Sequence, residues 1–217
     1  IEVIAPAGSR LPGVRVVLHQ IRGVAPASAA LSRRSDTSVI QADGALERGW
    51  QHAVAIQAEF DAIISFSYDW LSFYLTNFFS TPLVHFVTMS STTDELDTVL
   101  THIANRYPRR LAFHTKTQVH SYHLAPAQHE IFCGAVDHAT FRLRHNPKQQ
   151  IVFVGRISPE NGLQDAFAIA KHTKLPLHIC GRVEDQHYWQ QLRRRYRSVP
   201  HVMHGQLPHR RLAKVLG

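Results

Sequence analysis

The residues best suited to chemistry form the run Gly155-Arg156-Ile157-Ser158-Pro159-Glu160-Asn161-Gly162. It follows the apolar stretch Ile151–Val154 and precedes a helical pattern of Leu163, Ala166, Phe167 and Ala170. These types suit a diphosphate. Glycine at 155 lets the backbone turn and leaves room for a bulky ligand, and Gly162 falls where helix amides and the positive end of the helix dipole face an anion. Arg156 can add a forked, charge-assisted hydrogen bond to phosphate oxygens. The same residues also describe an ordinary strand-to-helix connection, with Pro159 and Gly162 serving the turn and Arg156 solvated. Spacing alone does not choose between the two.

Other reactive side chains are dispersed. Sixteen histidines raise the question of a metal, yet no His-Glu-x-x-His pair occurs, and the nearest grouping is His114, His120, His123 and His129. No metal site is expected. The two cysteines, Cys133 and Cys180, suggest neither a zinc knuckle nor a disulfide framework, which makes a reducing cytoplasm the default location.

A net charge of +8 and a pI near 9.9 suit anionic partners: nucleotides, acidic lipid surfaces or nucleic acid. Arg193, Arg194, Arg195 and Arg197 form the densest cluster, but Trp189, Leu192 and Tyr196 recur at i, i+3, i+7, so the arginines read as the wet side of an amphipathic helix. No nucleic-acid module accompanies them, and nucleic acid is not an expected partner. Peripheral contact with an acidic membrane stays open on charge. Apolar runs are only a few residues long, far short of the roughly 20 that a bilayer span needs. No targeting peptide precedes Ile1, and the absence of an initial Met is read as a missing start.

These residues need elements to hold them. With 217 residues and 44% apolar content the chain can bury a sizeable core. Short β-branched runs at 1–5, 14–18, 62–66, Leu83–Val87, Leu111–Phe113, Ile151–Val154, 175–180 and 201–204 read as strands. Helical patterns lie between several of them, with Leu46, Trp50, Ala53 and Phe60 on one face of 45–60 and Leu96, Leu100 and Ile103 on one face of Asp94–Arg106. This alternation predicts an α/β fold with mostly parallel sheets. Residues 151–181 read as a complete βαβ unit, and the wholly apolar Ile151–Val154 as a central strand covered on both faces. The polar stretch at 145–150, which contains Pro147, is expected to divide an N-terminal domain, 1–146, from a C-terminal one, 147–217. Some 70 residues are too few for a free-standing doubly wound domain, so the chain is expected to be cut short.

The pattern Gly155-Arg156-x-x-Pro159-x-x-Gly162 after an apolar strand resembles the signature that opens the donor domain of retaining glycosyltransferases of family four. These have the GT-B architecture of two facing Rossmann-like domains. Residues 175–181 are similar to the family's next strand and glycine, 188–196 to its following helix, and His204-Gly205-Gln206-Leu207 to its strand and loop near the nucleobase. Upstream, Phe60-Asp61-Ala62-Ile63-Ile64 resembles an Asp-led strand of the family. Gly134-Ala135-Val136-Asp137 with Phe141 resembles its segment before the linker, and residues 1–9 look like its second strand. The likeness runs through most of the chain and is densest at 151–207.

The resemblance implies transfer of a sugar from a nucleoside-diphosphate sugar to a carbohydrate or other small acceptor, with retention at the anomeric carbon and no cofactor beyond the co-substrate. It implies Gly155, Arg156, Asn161 and Gly162 at the donor diphosphate and Gly181, Gly205 and Gln206 at the nucleoside. Arg156, with amides near Gly162, would stabilise charge growing on the leaving diphosphate, and closure about 145–150 would exclude water. Asn161 stands where the family has a diphosphate-binding lysine and brings no charge. The family's glycine-rich loop and paired glutamates lie outside this sequence, so no catalytic residue is assigned. Its acceptor-domain histidine would fall at Val87 or Thr88; His85, the nearest, is out of register and reads better as a hydrogen-bonded strand histidine. Another sugar-nucleotide enzyme, such as an epimerase, or a weakened nucleotide-sugar-binding protein are the alternatives.

Overall fold

Alternation along short strands and a repeat of three to four between them produce two α/β layers. The computed structural model describes residues 1–26, 34–143, 145–146 and 148–217, and every strand pairing among them is parallel. Two units result, Ile1–Gly134 and Ala135–Gly217. The fold is α/β, with parallel sheets in each unit.

In the first unit, β1 (Glu2–Pro6) pairs with β2 (Val17–Ile21), and α1 (Ala45–Ile56) packs on both. A four-stranded sheet follows in the order β3 (Ile63–Ser65), β4 (Leu83–Val87), β5 (Leu111–Phe113), β6 (Glu130–Ile131). Short α2 (Trp70–Tyr74), long α3 (Asp94–Arg106) and short α4 (Lys116–His120) connect these strands. On β4, Leu83, His85 and Val87 are buried while Val84 and Phe86 are half-buried, the period of two expected of a strand with one covered face.

Helix α3 shows why its sequence folds as it does. The Thr93 hydroxyl accepts from the Leu96 amide, Asp94, Glu95 and Asp97 sit at the positive end of the helix dipole, and Arg106 lies at the negative end. Its inner stripe, Leu96, Val99, Leu100, Ile103 and Ala104, enters one core with Phe73, Val87, Leu111 and Phe113. Burying a side chain the size of Leu100 or Ile103 contributes about 1.5–3 kcal/mol.

The second unit is built on a three-stranded sheet, β7 (Ile151–Val154), β8 (Leu177–Cys180) and β9 (His201–Gly205). Helix α5 (Leu163–Thr173) connects β7 to β8, α6 (Gln186–Arg195) connects β8 to β9, and α7 (His209–Leu216) follows. The expected βαβ unit is present. β7, however, is not central: β8 takes the middle place and Val154 at the end of β7 is 51% exposed. An unbroken apolar run does not distinguish a middle strand from an edge strand. Strand β8 starts at Leu177, two residues later than expected, because Pro176 has no N–H to give the ladder; its carbonyl instead accepts from Ile151. Phe167 of α5 stacks on Tyr196 with centroids 5.2 Å apart, within a core that holds Leu163, Ile157, Leu177, Ile179 and Leu192.

The arginines of α6 line its wet face, with Arg193 over the Trp189 ring and Arg195 over Tyr196, while Leu192 is buried. The polar stretch at 145–150 meets the end of α7: Lys148 Nζ donates to the Lys214 carbonyl at 3.4 Å and Gln150 Nε2 to the Val215 carbonyl at 2.6 Å. Pro147 of that stretch lies outside the described residues.

Candidate functional site

A cavity of about 400 Å³ opens at the carboxyl ends of β7, β8 and β9, the place where parallel α/β sheets receive ligands. The ends of β7 and β8 give three residues each to its lining, Val154, Gly155 and Arg156 and then Cys180, Gly181 and Arg182, while Gln206 and Leu207 come from the end of β9. Helix α7 closes it with His209 and Leu212. Phe141, from the segment before β7, packs its ring on His209 at 5.6 Å.

Two glycines let the first loops meet. The Gly155 amide donates to the Cys180 carbonyl at 3.0 Å, and the Gly181 amide to the Gly205 carbonyl at 2.9 Å. A Cβ on Gly181 would lie 1.8 Å from the Gly155 carbonyl oxygen, so no larger residue fits this approach. At the third strand end a bulge steps the ladder from Ile179↔Met203 to Cys180↔Gly205, with Gly205 at φ 70°. Its extra residue, His204, brings Nε2 within 2.8 Å of His178 Nδ1.

Arg156 is held by carboxylates. Its Nη1 donates to Glu184 Oε2 at 2.6 Å and its Nη2 lies 3.8 Å from Glu160 Oε1. Glu184, whose side chain is 10% exposed, also accepts from Arg182 Nη2 at 3.1 Å. Neither glutamate is part of the cavity lining, which among the described residues carries two guanidiniums and no carboxylate.

Asn161 and Gly162 lie outside that lining. The Asn161 amide turns into its own loop, donating to the Arg156 carbonyl at 3.1 Å and to Ser158 Oγ at 2.8 Å. Gly162, at φ 74°, joins a single 3-10 turn at Pro159–Asn161 to α5. The Gln164 amide at the start of α5 donates to Tyr188 Oη at 3.2 Å. Of the seven residues implied for the donor, the cavity therefore gathers Gly155, Arg156, Gly181 and Gln206, while Gly205 flanks it in the chain. Sequence reasoning missed Arg182 and Glu184. Their signal was two charges, one and three residues beyond the glycine that follows β8.

A second cavity, about 470 Å³, lies in the first unit between the loop at 35–41 and the residues after β3. Its lining holds Asp36, Glu47 and Asp69 with Tyr68 and Trp70, and no Lys or Arg among the described residues. Asp69 caps α2 by accepting from the Leu71 amide, and burial pushes its carboxyl above the ordinary value. The two linings therefore differ in the charged side chains they present, carboxyls in the first unit and guanidiniums in the second.

His85 is fully buried on β4. Its Nε2 shares a 2.7 Å hydrogen bond with Thr76 Oγ1, Nδ1 has no partner among the described residues, and burial pushes the ring's pKa from 6.5 down to about 3. It is a neutral core histidine. No group of three or more His, Cys, Asp or Glu side chains among the described residues is placed to hold a metal ion. His114 packs edge-on against Phe86 and His129 against Phe113. No helix among the described residues is long and apolar enough to cross a membrane.

No family model and no curated protein matches this sequence. Among solved structures the chain is similar to AviGT4, a glycosyltransferase involved in avilamycin A biosynthesis, with a TM-score of 0.56 at 16% identity over 94% of this chain. The chain spans about half that structure's length, 54% of it. What is shared at this identity is the fold.

Proposed function

We propose that this chain belongs to an enzyme that transfers a sugar from a nucleoside-diphosphate sugar to an acceptor, with retention at the anomeric carbon, and that its second unit binds the donor diphosphate. One observation carries this reading: the cavity at the carboxyl ends of β7, β8 and β9 gathers Arg156, Gly155, Gly181 and Gln206 with no carboxylate among the described residues of its lining. The fold shared with a glycosyltransferase supports it. Glu184 holds the Arg156 guanidinium in place before any ligand arrives, which lowers the ordering cost of binding. Charge that grows on the leaving diphosphate would then meet a fixed cation, an electrostatic contribution to catalysis. The acceptor is assigned to the first unit.

Titration calorimetry of the wild type and Arg156→Ala with uridine and guanosine diphosphates tests the reading. The variant should bind more weakly by roughly 1.5–3 kcal/mol, the scale of a charged hydrogen bond; equal affinities contradict it. A binding protein with weakened catalysis is the second reading, favoured by the uncharged Asn161, whose amide is engaged within its loop. Tight diphosphate binding without sugar transfer or donor hydrolysis would select it.

A further inference from the structure

We infer that Arg182 is the second cation for the donor diphosphate, filling from the end of β8 the charge that position 161 lacks. The inference rests on the diphosphate reading above. A diphosphate presents oxygens on two phosphorus atoms, and a second guanidinium adds charge-assisted N–H donors that one alone does not supply. Asn161 brings no charge, and its amide faces its own loop. Arg182 lines the same cavity as Arg156.

The backbone fixes these two side chains as neighbours. Each stands one residue before a partner of the isolated parallel bridge Ile157↔Val183. The Ile157 amide donates to the Arg182 carbonyl at 2.9 Å, and the Glu184 and Asp185 amides return to the Ile157 carbonyl at 3.2 and 3.1 Å. Below the bridge, Gly181 lies against the Gly155 carbonyl so closely that the two loops cannot separate without breaking that contact. Glu184 then ties the guanidiniums together, one to each carboxylate oxygen. Glu184 offsets one of the two positive charges but sets both guanidiniums side by side, a preorganised pair of N–H forks for an anion. Arg182 remains the more accessible, its side chain 66% exposed against 36% for Arg156.

The test is a titration of wild type, Arg182→Ala, Arg182→Lys and Arg156→Ala with uridine diphosphate, uridine and inorganic pyrophosphate. Arg182→Ala should lose about 10- to 100-fold in affinity for the diphosphate and almost nothing for uridine. Arg182→Lys should recover part of the loss, since charge returns without the fork. Pyrophosphate following the same order shows that the clamp reads phosphate from any source; sensitivity of the nucleotide alone shows that the base must position it. Thermal unfolding of Arg182→Ala should match the wild type, separating a lost contact from a damaged fold. If Arg156→Ala weakens the diphosphate while Arg182→Ala binds within twofold of wild type, the inference is overturned and the diphosphate reading stands. An equal loss for uridine and uridine diphosphate also overturns it. If the wild type binds neither diphosphate nor pyrophosphate, the diphosphate reading itself fails.

Discussion

Burial decides the role of single residues here, as His85 shows. Its ring sits among Phe73 and the buried face of β4 with Thr76 as hydrogen-bond partner, so charging it inside the fold is strongly opposed. The unfolded chain takes up this proton near pH 6.5, the folded ring only near 3. Protons therefore favour the unfolded chain as pH falls between those values, whereas above 6.5 the ring is neutral in both states. The wild type should lose stability on acidification through this window with an extra slope approaching about 1.4 kcal/mol per pH unit, absent in His85→Gln. Urea unfolding at several pH values checks the difference in slope. That His85 is a strand histidine was legible from its register. That Asn161 turns inward was not, because an amide's partners depend on where Ser158 and the Arg156 carbonyl fall in the folded loop. Arg182 escaped for a related reason: only the bridge between Ile157 and Val183 sets it beside Arg156.

Among the elements, legibility followed length and cross-strand dependence. Helices α3 and α5 repeat their apolar residues over several turns, and both form where the pattern places them. The five-residue helices α2 and α4 offer too few turns for a periodic signal, though their caps Asp69 and Thr115 were present in the sequence. Strand β6 is two residues long and exists through its pairing with β5. Strand β2 lies three residues later than its apolar run suggests. It includes the polar His19 and Gln20, which find partners in Glu2, His52 and the Gly8 amide. The meeting of the β7 and β8 loops depends on one position. Gly181→Ala should destabilise the second unit by about 1–3 kcal/mol or more, since its Cβ would meet backbone rather than a yielding side chain. Gly155→Ala meets only the Phe153 ring at 3.2 Å and should be milder. Chemical denaturation of the two variants measures the contrast.

For the molecule as a whole, a net charge of +8 accompanies two cavities whose linings carry opposite kinds of charged side chain. The one in the second unit presents Arg156 and Arg182 and the one in the first presents carboxyls, the difference on which the proposed diphosphate site rests. Composition suited an anionic partner without pointing to a place for one, because Arg156 and Arg182 are brought together by two strand ends far apart in sequence. The most direct measurement is amide chemical-shift mapping of the nitrogen-15-labelled chain as uridine diphosphate is added. Shifts should concentrate at Gly155, Arg156, Gly181, Arg182 and Gln206, with the amides of Asp69 and Trp70 unmoved. Shifts confined to the first unit's cavity, or none at the ends of β7 and β8, would contradict it.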